Sequence, residues 1–236
     1  MWSEVGADGR SVVAAPSSLG RSVLIVTGAR HPVGSAPSER ALADDLAAWA
    51  RRTLPVGSEI ARWSGQDYQS HNLVPFIGGM PRGLGRLRFA TGYGGWGLTN
   101  APAAAMRLTD EIRGVSRGDR PQWMRTIGTR MTVPADLGRG IGEAARRARV
   151  SSAARGEAQT APVRPPAEGE GVLARRGVRT AAVSTVDGET RTIDAPTPLT
   201  WNDAERSWDS PVDGSRYAPD GTRVEGAASR DLSSAG

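Results

Sequence analysis

The residues best placed to do chemistry are glycines. Gly92, Gly94 and Gly97 keep a G-x-G-x-x-G spacing within Gly92-Tyr93-Gly94-Gly95-Trp96-Gly97, between a strand-like run and a helix-like run. Such a loop lets backbone N–H groups approach a ligand closely, and the helix N-terminus adds partial positive charge facing an electron-rich group. Two readings stand side by side. One is a contact loop for an electron-rich cofactor edge; the other is a tight turn whose glycines solve a packing problem. A complete dinucleotide-binding unit would need a second parallel strand ending in an acidic residue about 20 residues on. Instead, Arg113 to Arg130 holds scattered glycine, proline and arginine with no β-branched run.

Other chemistries are closed off by residue type. The sequence has no cysteine, which removes disulfides, thiolate nucleophiles, Cys-ligated zinc and any thiolate-held cluster. His31 and His71 are the only histidines, so a three-histidine zinc site is impossible. Both read as surface side chains in polar or loop segments. Arg62 has the bidentate fork to orient a substrate carboxylate, and an ordinary salt bridge is the competing role. All 30 basic residues are arginine, giving a net charge of +5. They are interleaved with acids except near Arg146, Arg147 and Arg149, and no aromatics are spaced among them for base stacking, so nucleic acid is not expected as a partner. No stretch reaches the roughly 20 apolar residues that span a bilayer. No membrane association and a cytoplasmic location are expected.

Several elements must position the glycine loop. Ser22 to Thr27 is a β-branched run between Gly20 and Gly28 and predicts a buried strand. Ser38 then precedes a helix with Leu42, Leu46 and Trp49 on one face, ended by Pro55. Leu87 to Thr91 predicts the strand before the loop, and a helix from about Ala101 to Ile112 follows it. Asn100 is the expected cap, Pro102 falls in the first turn and Gly114 closes the helix. Residues 131–170 turn to Ala, Arg, Gly, Pro and Glu and read as a flexible linker with a short helix at Ile141 to Val150. Beyond it, Asp187-Gly188, Asn202-Asp203 and Asp220-Gly221 mark hairpin turns between short strands.

Two regions resemble known families. Leu24-Ile25-Val26-Thr27-Gly28, His31-Pro32-Val33-Gly34, Arg62-Trp63-Ser64-Gly65-Gln66-Asp67-Tyr68, Pro75-Phe76-Ile77-Gly78 and Phe89 through Asn100 resemble the C-terminal part of FAD-dependent oxidoreductases of the D-amino-acid-oxidase-like superfamily. The resemblance implies that the glycine loop and the following helix lie against the flavin ring, with N–H groups facing its O2 side. It makes Gly92, Gly95, Trp96, Gly97, Leu98 and Thr99 the candidate FAD contacts. In that family a strand, a G-x-G-x-x-G turn and a helix binding the ADP half come long before these blocks, whereas here the strand at Val23 comes almost at once. A partial FAD site and a truncated flavin region are therefore expected.

The second region is Trp201-Asn202-Asp203-Ala204-Glu205-Arg206-Ser207-Trp208-Asp209, followed by Gly214-Ser215-Arg216-Tyr217, Asp220-Gly221-Thr222 and Gly226 to Leu232. It resembles the cluster-binding segment of Rieske [2Fe-2S] domains, which ligate their irons through C-x-H and C-x-x-H pairs. The resemblance puts those four positions at Thr192, Asp194, Ser210 and Asp213. Hydroxyls are weak protonated donors and carboxylates suit hard ions, so the [2Fe-2S] cluster usual in the family is expected to be absent. Asp194, Asp209 and Asp213 are either a hard-ion site or solvated loop aspartates, with Arg206 and Arg216 as simpler partners.

These readings give an α+β fold with a flavin-oxidoreductase C-terminal fragment over 1–130, a linker over 131–170 and a Rieske-like antiparallel β domain over 171–236. The implied activity is oxidation of an amine or amino acid. A non-catalytic module that docks on a full-length oxidoreductase, or completes a separate flavin-binding N-terminal half, is the alternative.

Overall fold

The computed structural model describes residues 2–3, 9–16, 20, 22–80, 83, 85–127, 134–156, 158–160, 163–177 and 179–235. Helices and antiparallel sheets both occur, as an α+β chain requires. They fall into two compact units, one of residues 1–64 with 149–236, the other of residues 65–148.

The first unit begins with strands β1 (Trp2–Ser3), β2 (Ser11–Pro16) and β3 (Ser22–Thr27), paired antiparallel in that order. The β3 run was expected to be buried. Its burial instead alternates, and Leu24 is 39% exposed, because β3 is the edge of a three-stranded sheet. Helix α1 (Glu39–Thr53) starts where the sequence predicts, with the Ser38 hydroxyl accepting the Ala41 amide and the chain leaving the helix at Leu54. Arg10 lies over the Trp49 ring at 5.0 Å.

The later part of this unit is built from two four-stranded sheets. Strands β6 (Gln159–Thr160), β7 (Gly171–Arg176), β8 (Arg179–Val186) and β9 (Glu189–Asp194) form one; β10 (Thr200–Asn202), β11 (Ser207–Asp209), β12 (Arg216–Tyr217) and β13 (Arg223–Glu225) form the other. Asp187-Gly188 sits between β8 and β9 and Asp220-Gly221 between β12 and β13, while Asn202 ends β10 and Asp203 opens the turn to β11. At the first, Asp187 and Gly188 both have positive φ, 53° and 77°, which matches the strand twist of a two-residue hairpin. Ala182, Ile193, Ala195, Leu199, Trp208 and Tyr217 make the core. Trp201 meets Trp208 edge-on, 4.9 Å between centroids, and its indole N–H donates to the Gly169 carbonyl at 2.9 Å. A Cβ at Gly171 would stand 2.5 Å from that indole, so only glycine lets the ring lie there.

Side chains from the β10–β11 turn close onto the start of α1. The Asp203 carboxylate accepts the Ser38 hydroxyl at 2.6 Å and the Arg40 amide at 2.9 Å, while the Asp203 carbonyl accepts the Arg40 guanidinium at 2.7 Å. An acid at a helix N-terminus also meets the positive end of the dipole. Burial pushes the Asp203 carboxyl up, but the donated hydrogen bonds outweigh it and the value falls below normal. Arg216 reaches Ser64, its NH1 donating to the carbonyl at 3.0 Å and NH2 to the hydroxyl at 3.1 Å. The Glu205 carboxylate accepts the Ser64 amide.

The second unit holds β4 (Phe76–Gly79) antiparallel to β5 (Arg88–Thr91), helix α2 (Gly97–Ile112) and the short α3 (Gln122–Thr126). Its core is small: Ile77, Ala104 and Met124, joined by a buried arginine. Arg107 donates to the Ile77 carbonyl at 3.0 Å, to the Met124 carbonyl, and to Glu111 at 2.8 Å. One guanidinium thus satisfies carbonyls from β4 and α3 while standing on α2. Helix α4 (Pro134–Gly156) spans the division between units and contains the predicted Ile141 to Val150 helix. No helix of the described residues is long and apolar enough to cross a membrane.

His31 braces the α1 start, with Nε2 2.8 Å from Glu39 and Nδ1 2.7 Å from the Ala29 carbonyl. The Glu39 contact raises its pKa above the ordinary 6.5, burial opposing. A raised folded value means that the stabilisation is complete below about 6.5 and fades as pH climbs through the higher folded value. Titration by NMR should give His31 a midpoint above 6.5, and Glu39→Gln should return it toward that value.

Candidate functional site

The glycine loop connects β5 to α2 and is held from behind by residues 67–70. The Gly94 amide donates to the Tyr68 carbonyl at 3.0 Å, the Gly95 amide donates to the Asp67 carboxylate, and Gln69 bridges to Tyr93. Gly92, Gly94 and Gly95 have φ of 80°, 58° and 88°. At Gly92 an added Cβ would lie 3.1 Å from the Ser70 Cβ, so this residue serves both close packing and a left-handed turn.

Helix α2 begins at Gly97, not at Ala101, and its cap residue is Trp96, not Asn100. Asn100 lies in the first turn, where its amide and side-chain N–H both donate to the Trp96 carbonyl at 2.9 Å. Pro102 is therefore beyond the first turn. The sequence pattern missed this because a cap-type residue and a proline suggested a later start, while Gly97, Leu98 and Thr99 before them also take up helical geometry.

The six candidate contacts divide by what their amides do. Gly92 packs on Ser70; Gly95 and Trp96 spend their N–H groups on Asp67 and on the Tyr93 carbonyl. Gly97, Leu98 and Thr99 precede the first intrahelical bond, so their amides have no carbonyl within the helix. Trp96 is 52% and Leu98 97% exposed beside them. The supporting segment adds unpaired buried polar atoms: both side-chain amide atoms of Gln66, the Ser70 hydroxyl and His71 Nε2. Ser70 is only 5% exposed. Buried polar groups without partners are costly in a finished interior and are found where a ligand or water completes them. His71 was expected at the surface; it is half-buried, tilted against Phe76 at 5.7 Å between centroids.

Arg62 takes the salt-bridge role. Its Nε and NH2 meet Glu59 at 2.7 and 3.0 Å, and NH1 meets Asp44 at 2.6 Å.

The four positions implied by the Rieske resemblance lie on two sheets. Thr192 is in β9 opposite Val183, and Asp194 ends β9 opposite Ala181, its amide donating to the Ser233 carbonyl at 2.8 Å. Ser210 and Asp213 shape the β11–β12 turn: the Ser210 amide donates to the Ser215 carbonyl, the Gly214 amide to the Ser210 carbonyl, both at 2.8 Å, and the Ser215 amide to Asp213 at 3.1 Å. Burial pushes the Asp213 carboxyl up, and the adjoining Ser210 hydroxyl and Ser215 amide more than offset it, leaving it below normal.

A [2Fe-2S] cluster does not fit this donor set. It needs thiolate sulfur on one iron, the chain has none, and two hydroxyls with two carboxylates cannot replace two thiolates and two imidazoles. The hard-ion alternative meets a different obstacle. Asp209 is not a solvated loop aspartate: it is 4% exposed and takes Arg216 Nε at 2.9 Å, Asn202 Nδ2 at 3.0 Å and the Ser207 hydroxyl at 3.2 Å. Among the described residues no three His, Cys, Asp or Glu side chains are grouped to hold a metal ion.

Comparison with known proteins places the loop in context. Residues 2–111 match the family described as FAD dependent oxidoreductase. The chain is also 28% identical over 222 residues to a putative Rieske 2Fe-2S iron-sulfur protein of Bacillus subtilis, an alignment covering 90% of this chain and 42% of that protein. The chain thus spans less than half the length of this relative. The flavin-type match ends inside α2, so the whole glycine loop and all six candidate contacts lie within it.

The residues fit one polar edge of a flavin: free amides at a helix start, an exposed Trp96 and Leu98, and buried unpaired groups behind the loop. A phosphate cradle is another matter, since the G-x-G-x-x-G spacing occurs once in the sequence and its loop is already used. Gly92→Ala should lower stability by about 1–3 kcal/mol, through the left-handed backbone and the Ser70 contact together, read as a drop in the urea midpoint.

Proposed function

We propose that this chain supplies one wall of a flavin site in an oxidoreductase acting on an amine or amino acid, joined to a β region of Rieske descent that carries no cluster. The observation that carries the reading is the start of α2. The amides of Gly97, Leu98 and Thr99 stand at the positive end of a helix ahead of its first internal bond, and the segment before the loop holds unpaired Ser70, His71 and Gln66 atoms, all within the flavin-family match. A flavin bound there would supply hydride acceptance at its N5. The protein's own part is to hold the electron-rich ring edge on the helix amides, to keep the loop rigid through Asp67 and Tyr68, and to shield one ring face with Trp96. Within these residues the G-x-G-x-x-G spacing occurs only at the loop itself, so no second such turn is present for the pyrophosphate. FAD affinity for this chain alone should accordingly be weak.

The α2 surface favours the module as a second reading. The helix is turned inside out: Arg107 and Glu111 point inward, while Leu98, Ala101, Ala105, Met106 and Ile112 are exposed along one uncharged face. A separately supplied flavin-binding half or a full-length oxidoreductase would cover such a face.

Titrating FAD into purified chain separates the readings. Flavin-wall chemistry predicts saturable quenching of flavin fluorescence that weakens in Gly97→Pro, which removes an amide donor at the first helical position, where proline is tolerated. Absence of saturable quenching at any accessible FAD concentration, with the fold intact, would leave only the module reading.

A further inference from the structure

Away from the glycine loop, three arginines converge on one concave space in the first unit. Arg40 and Asp44 come from α1, Arg62 from the segment after it, and Ala204 and Arg206 from the β10–β11 turn, around a groove of about 440 Å³. We propose that this groove binds a small, multiply charged oxyanion, a phosphomonoester or a dicarboxylate. Neither the six candidate flavin contacts nor the four replaced cluster positions are among its lining residues.

The lining carries three guanidiniums and the Asp44 carboxylate, with Glu59, Asp187 and Glu168 standing within 4 Å of the arginines as counter-ions, and each guanidinium is anchored from the side. Arg62 is gripped by Glu59 and Asp44. Arg40 gives NH2 to the Asp203 carbonyl at 2.7 Å, and Arg206 gives NH1 to Asp187 at 3.1 Å. Those contacts use one terminal nitrogen of Arg40 and one of Arg206, which leaves most of each five-donor fork for a ligand. Because the arginines are already held, an incoming anion need not order them, and that lowers the entropic cost of binding. Planar forks in this setting suit carboxylate or phosphate oxygens taken two at a time.

The turn is shaped to deliver this arrangement. Asn202 Oδ1 accepts the Ala204 and Glu205 amides at 3.1 and 2.9 Å, and Arg206 has φ of 52°, an uncommon conformation for a residue with a Cβ. Ala204 keeps the floor short. Asp44, 60% exposed at the side chain, is the one lining group that opposes an anion. That opposition gives the proposal a signature no merely structural role would share, since removing the Asp44 charge should improve binding.

Isothermal titration at low ionic strength, with inorganic phosphate in one arm and succinate in the other, tests the groove on the full chain. The expected result is saturable one-to-one binding of at least one anion, with the tighter arm identifying the source. Arg206→Gln should weaken it by about tenfold or more, the equivalent of losing one charge-assisted contact. Asp44→Asn, which keeps an oxygen for Arg62, should tighten it severalfold. Circular dichroism confirms that both variants fold. Absence of saturable binding of both anions, unchanged affinity in folded Arg206→Gln, or weakened affinity in Asp44→Asn would each overturn the assignment.

Discussion

A buried ion pair organises the first unit. Arg216 and Asp209, with side chains 7% and 6% exposed, meet through Nε at 2.9 Å and NH2 at 3.2 Å. Two charges taken out of water are tolerable only when every remaining donor and acceptor is met. Here Asn202 and Ser207 finish the carboxylate, Ser64 takes NH1 and NH2 of the guanidinium, and Glu225 adds an ion pair to NH1 at 3.2 Å. Burial lowers the Arg216 pKa, and the Asp209 contact outweighs it to leave the value raised. The pair lies one residue from Ser210, at the turn where the family resemblance places an iron ligand. A buried polar network built on Asp209 and Arg216 therefore organises the part of the β region in which the resembled domains hold a metal centre.

The same guanidinium connects distant parts of the sequence. By reaching Ser64 it fastens the end of the first segment to the β10–β13 sheet, while Asp203 caps α1 from the neighbouring turn. Composition divides the chain into successive regimes, yet the first unit joins residues 1–64 with 149–236. The bonds responsible run between residues 141 to 165 positions apart, as with Glu205 to Ser64 and Asp203 to Ser38, and no local pattern announces them.

Much of the local structure was legible. Ser38 capped α1, three turn pairs made three hairpins, and the glycine loop lay between a strand and a helix, because caps and tight turns depend on neighbouring residues alone. What failed required knowledge of partners across space. β3 reads as buried from its β-branched run, but only its place at a sheet edge decides exposure. Arg107 was not singled out, since nothing local says that an arginine in a mid-helix position will turn inward to meet two carbonyls. Arg216 was among the partners the sequence offered for Asp209, and the β11–β12 register sets it opposite, but the burial of the pair was not foreseen. In the candidate flavin wall the loop glycines were evident, whereas of their supports only Asp67 belonged to a recognisable block, Ser70 carried no signal and His71 read as a surface side chain.

Native-state hydrogen exchange is the most direct test of the claim that one buried pair unifies these segments. In the wild-type chain, amides of α1 and of β10–β12 should share a common opening free energy, and Arg216→Gln should lower protection in both together. Protection of α1 that stays unchanged while β10–β12 loosens would contradict the account, because the first segment would then stand independently of the Asp209–Arg216 pair.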